Sequence, residues 1–205
     1  MSNSQSILYT IGHSTHTSAY FLELLQLYSI DCLVDVRSMA ASRYNPQYNK
    51  KALASFLKEN SIQYLHFDKE FGARQTSPEL LDEAGQLDFE KVRNATHFKN
   101  GVDRLKQGVA KGYTIALMCA ESDPLDCHRF GMISTALTEQ GFDINHILKD
   151  KTLKTNAALE EELLKKYEKK LPQQDIFTSV VNREARLKAA YRLLNKDIAY
   201  APGQI

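Results

Sequence analysis

Cysteine is scarce in this chain, three in 205 residues. The odd, sparse count excludes a disulfide-stapled scaffold and fits thiols kept reduced. An excess of charge of one sign is lacking too. Lys and Arg number 26 against 25 Asp and Glu, a formal net charge of +1 with pI near 7.7. No global field gathers a polyanion, so nucleic-acid binding would require a local patch. No apolar run approaches the length of a membrane span, and Met1-Ser-Asn-Ser-Gln-Ser6 lacks a basic start. We therefore expect a soluble, cytoplasmic protein with no membrane partner. Internal repeats and low-complexity tracts are also missing.

What is present is a 43% hydrophobic chain, long enough for one α/β domain with an extension. Apolar runs of strand length alternate with stretches of helical periodicity. Strands are expected at 7–11, 32–36, 62–67, 113–118 and 142–148. Helices are expected at 18–27, around Leu53, Phe56 and Leu57, at 98–110, and from Phe130 onward. The alternation predicts a mainly parallel sheet of about five strands with right-handed crossovers and helices on both faces. The core is expected over 1–150. Over 151–205 a helical extension follows, with a charged helix at 159–171, a break at 172–175 and a helix at 182–194. The stripe Leu187, Ala190, Tyr191 and Leu194 on the last helix must cover either the core or a partner, including a second copy of the chain.

The run Tyr113–Met118 leads into Cys119-Ala-Glu-Ser-Asp-Pro-Leu-Asp-Cys-His-Arg129, which concentrates thiols, carboxylates, an imidazole and a guanidinium in one strand-to-helix turn. In parallel sheets such turns at the carboxyl ends of strands are where ligands bind. The other expected strand ends bring Gly12, His13 and Ser14, then Asp35 and Arg37, then His66, with His146 on the last strand. These groups are expected to converge on one edge.

The motifs Tyr9-Thr-Ile-Gly-His-Ser14, Leu33-Val-Asp-Val-Arg-Ser38 with Ser42-Arg43, Ile62-x-Tyr-x-His66 and Phe71-Gly72 are joined by Met118-Cys-Ala-Glu-x-Asp-Pro-x-x-Cys-His-Arg129 and His146-Ile147. Together, over about residues 7–170, they resemble the family catalogued as domain of unknown function 488. Ala40 stands where that family commonly has proline, and Ala73 replaces the second glycine of its Gly-Gly turn. The resemblance implies a small α/β fold and the motif positions, but no reaction, so function has to be argued from the site.

Cys119, at a strand end facing a helix N-terminus, is placed like a nucleophile. Yet the loop has no glycine, and Glu121, Asp123 and Asp126 oppose a thiolate, so a buried thiol is the better reading. Cys119, Cys127 and His128, with His13, offer soft metal ligands, but adjacent residues on a helix diverge and the spacing argues against structural zinc. Asp35, Glu121 and Asp123 are the preferred metal set, suited to Mg²⁺ or Mn²⁺. Arg37, Arg43, Arg74 and Arg129, with Gly12, Ser14 and Ser42, point to an anionic group. Tyr44 and Tyr48 offer stacking surfaces. The catalytic candidates are His13, Asp35, Cys119, Glu121 and His128. Two functions follow: an enzyme, a hydrolase or transferase, acting on a small phosphate-, nucleotide- or carboxylate-bearing substrate; or a non-catalytic sensor binding a nucleotide or metal at the same edge.

Overall fold

The computed structural model describes residues 6–173 and 182–203. Six strands form one sheet: β1 (Ile7–Gly12), β2 (Cys32–Asp35), β3 (Gln63–His66), β4 (Ile115–Cys119), β5 (Asp143–Ile147) and β6 (Leu153–Thr155), in the order β3-β2-β4-β1-β5-β6. The first five are parallel, and β6 adds an antiparallel edge. That sixth strand was not expected. It is only three residues, Leu-Lys-Thr, with both end residues exposed, and it is held by the ladder with β5 and not by burial of its own side chains. Every residue of β2 and β4 is buried, as continuous apolar runs in a covered parallel sheet should be.

Helices cover both faces. α1 (Ser18–Leu27) begins where the Thr17 hydroxyl accepts a hydrogen bond from Tyr20 N, and it buries Phe21, Leu24 and Leu25. With α2 (Lys50–Glu59) it packs on the face that carries Ile11, Leu33, Ala116 and Met118. The alternate strand residues Leu8, Val34 and Leu117 point the other way, as the two-residue period of a strand requires. They meet α5 (Thr96–Ala110) and the helix after β4. Between β3 and α5 lie two short helices, α3 (Asp68–Phe71) and α4 (Phe89–Asn94). α3 lies so close to α5 that a Cβ on Gly101 would sit 2.7 Å from the Glu70 side chain.

The helix after β4 opens with a π turn, Arg129–Ser134, before α6 (Thr135–Glu139). Beyond the sheet, α7 (Asn156–Tyr167) and α8 (Arg183–Ile198) enclose a third cluster around Phe130, with Leu159, Leu163, Ala190 and Leu194. The stripe expected on the last helix thus covers this chain's own core. The break expected at 172–175 lies partly outside the described residues. Among the described residues, no helix is long and apolar enough to cross a membrane.

The connection from β1 runs through α1 on one face, and the connection from β4 runs through α6 on the other. β1 and β4 are neighbours. Their carboxyl ends therefore flank the point where crossovers diverge, the place where such sheets open a crevice.

Candidate functional site

At that point the loops after β1, β2 and β4 are tied together beyond the sheet. His13 N donates to Cys119 O at 2.9 Å, Ser14 N to Ala120 O at 2.9 Å and Val36 N to Met118 O at 3.0 Å. Gly12 permits this approach: a Cβ there would lie 1.9 Å from the Glu121 carbonyl oxygen. A cleft of about 540 Å³ opens above, lined by His13, Arg37, Arg74, Cys119, Glu121 and His128 among others. A larger hollow of about 780 Å³ lies against α4 and α8, but none of its polar lining side chains is buried. Chemistry, not size, singles out the cleft.

One wall is built on Asp35, which is fully buried. Its Oδ1 accepts from Arg37 N at 3.1 Å and Nε at 2.9 Å, and its Oδ2 accepts from Arg37 Nη2 at 2.6 Å and the Tyr64 hydroxyl at 2.8 Å. Arg37 also donates to the Tyr48 carbonyl at 2.7 Å and, through Nη1, faces His13 Nε2 at 3.0 Å. Burial would lower the Arg37 pKa, but Asp35 outweighs it and the net shift is upward. Arg37 is thus committed to Asp35, a structural partner and not a free anion binder.

His13 Nδ1 donates to the Ser14 carbonyl at 2.8 Å. Its Nε2 accepts from Arg37, so the partners select a neutral ring. The ring stacks on Tyr48 with centroids 4.0 Å apart. Burial, reinforced by the Arg37 charge against the opposing Ser14 hydrogen bond, lowers its pKa to about 4.

The floor gathers Cys119, Glu121, Cys127 and His128, whose ligating atoms all lie within 4.8 Å of one another. Cys119 Sγ donates to Glu121 Oε2 at 2.7 Å, and Cys127 Sγ lies 3.1 Å from the same oxygen. His128 Nε2 donates to the Val36 carbonyl at 3.2 Å. That leaves Nδ1 facing Cys119 Sγ at 3.7 Å and Cys127 Sγ at 3.8 Å. The expectation that Cys127 and His128 diverge fails for a local reason: Cys127 is extended (φ −134°, ψ 141°) and ends the short turn Pro124–Asp126, while His128 is helical. The two side chains therefore do not follow helical spacing.

The thiols are electrostatically unequal. Burial, then the neighbouring Cys127 and Glu121, hold the Cys119 pKa well above its ordinary value. Burial opposes a thiolate at Cys127 as well, but the Cys119 thiol, Arg129 and His128 outweigh it and bring the net shift well below. Arg129 N adds a hydrogen bond to Cys127 Sγ at 3.4 Å. Burial and Cys127 raise Glu121, and Cys127 raises His128 against the effect of burial.

Arg129 is fully buried. It clamps the loop, donating from Nη1 to the Glu121 carbonyl at 2.6 Å and from Nη2 to the Ser122 carbonyl at 2.9 Å. Like Arg37, it is therefore a strut and not an exposed contact for a substrate. Arg43 is exposed and lies off the cleft lining. Arg74 is exposed on the rim, near Met39 Sδ at 3.9 Å and 6.0 Å from the Tyr200 ring centroid. Among the described residues it has no carboxylate partner. Ser14 and Ser42 line the cleft, the latter with its hydroxyl accepting from Tyr44 N and Asn45 N at 3.2 and 3.1 Å.

The carboxylate trio does not assemble. Asp35 is saturated by Arg37 and Tyr64, and Asp123 turns to accept from Leu125 N at 2.9 Å, so only Glu121 remains in the cluster. Nor do all strand-end histidines meet there. His66 donates to the Arg37 carbonyl at 2.8 Å and accepts from Lys50 at 3.2 Å. His146 is buried between Thr10, at 2.7 Å, and Asn156, at 3.3 Å; burial and the Arg129 charge lower its pKa to about 3.

Sequence reasoning missed Tyr64 and the part played by Cys127. Tyr64 was recoverable, since it lies two residues before His66 and so on the same side of β3. The extended backbone at Cys127 had a signal too, in Pro124 opening a short turn just before it.

The family model described as "Domain of unknown function DUF488" matches residues 17–134, more than half of the chain. The match spans the Asp35–Arg37 wall and the whole Cys119–Arg129 turn, and it stops short of His146. Comparison with curated proteins gives no match.

Proposed function

Because the chain belongs to the DUF488 family, whose description assigns no reaction, we propose a function from the site alone: an enzyme, a hydrolase or transferase, acting on a small anionic substrate in the cleft. One observation carries this reading. Two thiols, an imidazole and a carboxylate are packed against one another at the floor of an open cleft, although such a cluster does nothing for stability that apolar side chains would not do better. Perturbed titrating groups gathered in a cleft favour catalysis over simple binding.

Glu121 suits proton transfer, because its raised pKa moves it toward neutrality and its side chain alone among the four belongs to an exposed residue. Arg74 is the cation left to meet an anionic group. His13 is a positioning element, its ring fixed between Tyr48, Arg37 and Ser14. A non-catalytic sensor of a nucleotide would use Arg74 equally but would have no need of the clustered groups on the floor.

The test is a screen of phosphoesters, nucleotides and carboxylate esters with wild type, Glu121→Gln and Arg74→Gln. A charge-assisted hydrogen bond is worth about 1.5–3 kcal/mol, so Arg74→Gln should raise KM by about ten-fold or more with the melting temperature unchanged. Glu121→Gln should lower kcat. Turnover that survives both substitutions unchanged would place the chemistry elsewhere and end this reading.

A further inference from the structure

We propose that Cys119, Cys127 and His128 form a binding site for a soft divalent cation of the zinc class, with Glu121 as an exchangeable fourth ligand facing the cleft. This goes beyond the enzymatic reading and does not depend on it.

Geometry is the first argument. Around a tetrahedral zinc with bonds of about 2.3 Å to sulfur and about 2.0–2.1 Å to nitrogen, sulfur and nitrogen ligands stand about 3.6 Å apart. His128 Nδ1 lies 3.7 and 3.8 Å from the two sulfurs. The Glu121 oxygen, at 2.7 and 3.1 Å from them, is closer than a shared ion would leave it. Binding would therefore push this one carboxylate outward, and Glu121 is the exposed member of the set.

The surroundings are those a ligating imidazole requires. A metal-bound histidine almost always donates its other ring N–H to a carbonyl or carboxylate, which fixes the tautomer and aims the free nitrogen at the ion. His128 does this through Val36, whose own N–H is held by the Met118 carbonyl. Two thiolates balance a divalent ion, and the buried Arg129 guanidinium holds the loop around them by donating to the Glu121 and Ser122 carbonyls. On binding, any thiol still protonated gives its proton to solvent.

Ligand type sets the ion. Two sulfurs and an imidazole select zinc-like ions, whereas magnesium, calcium and manganese prefer oxygen. Three buried ligands with one labile position toward a cleft match an open site, not a closed structural one.

The experiment takes the full chain, reduced and stripped with a chelator, and titrates it with Zn²⁺ or Co²⁺. One ion per chain is expected, and bound Co²⁺ should show thiolate charge-transfer absorption of an intensity for two sulfurs together with the visible bands of tetrahedral coordination. Cys119→Ser, Cys127→Ser and His128→Ala should each weaken binding by more than the roughly 10–100-fold that loss of a supporting partner costs. Glu121→Gln should keep the ion and its sulfur bands. Should a ligand variant fail to fold, the wild-type Co²⁺ spectrum still decides, because it counts the sulfurs directly. Absence of binding by the reduced wild type, Co²⁺ bands without thiolate absorption, or a Cys119–Cys127 disulfide that persists in mild reductant would overturn the proposal.

Discussion

His13 and His146 are both held neutral by burial, with pKa values lowered from 6.5 to about 4 and about 3. A histidine that resists protonation only when folded gives stability that is complete above the unfolded pKa and is lost as pH falls toward the folded one. Between pH 6.5 and about 4 each ring should therefore cost about 1.4 kcal/mol per pH unit. Glu121, raised by burial and then by Cys127, takes up its proton more readily in the native state and offsets part of the slope, while the raised His128 acts above 6.5. Urea unfolding across the window should show stability falling with pH. His146→Gln should flatten that slope by about 1.4 kcal/mol per unit. An unchanged slope in the variant would mean that His146 protonates freely in the folded chain.

The element that shapes the site is the π turn Arg129–Ser134. Such turns appear mostly as local bulges in helices and often near functional sites. Here the wide turn has side-chain support: the Ser134 hydroxyl donates to the Arg129 carbonyl at 2.7 Å, and the Thr135 hydroxyl faces the Phe130 and Gly131 carbonyls at 3.2 and 3.3 Å. The same turn sets the rotation at which Arg129 leaves the helix to clamp the Glu121 and Ser122 carbonyls. Ser134→Ala removes one buried hydrogen bond and should lower stability by about 1 kcal/mol in urea. No measurable loss would show that helix packing alone holds the turn open.

Across the whole molecule, α8 braces the site from behind. Leu194 is fully buried, and a Cβ on Gly131 would come within 3.0 Å of its Cδ2. Phe130, next to Arg129, packs against the Tyr191 ring at 5.4 Å and also belongs to the cluster with Leu159 and Leu163. The C-terminal helices are thus in the same contact chain as the cleft floor. Leu194→Ala should cost about 2–5 kcal/mol, and calorimetry should show the entire transition shift as one. Two separate transitions would mean instead that α8 melts independently of the sheet.

By itself the sequence determined the parallel α/β alternation, the strand-to-helix turn that carries the Cys119–Arg129 motif, and the family. Each is written in local periodicity or in a contiguous motif, because burial of one face imposes a period on the chain that builds it. Only the tertiary structure decided which polar residues are partners. Asp35 and Arg37 look like site residues in a strand-end motif, yet they saturate each other, and Arg129 looks like an anion contact until its burial turns it into a clamp. The cluster on the floor draws on both levels: its members lie in one contiguous loop and meet because the backbone at Cys127 is extended. The aim of the His128 ring requires β4 to lie between β1 and β2, bringing the Val36 carbonyl to it across 92 positions of chain. No local pattern specifies that sheet order, because it is set by how the crossovers pack and not by the period of any one segment.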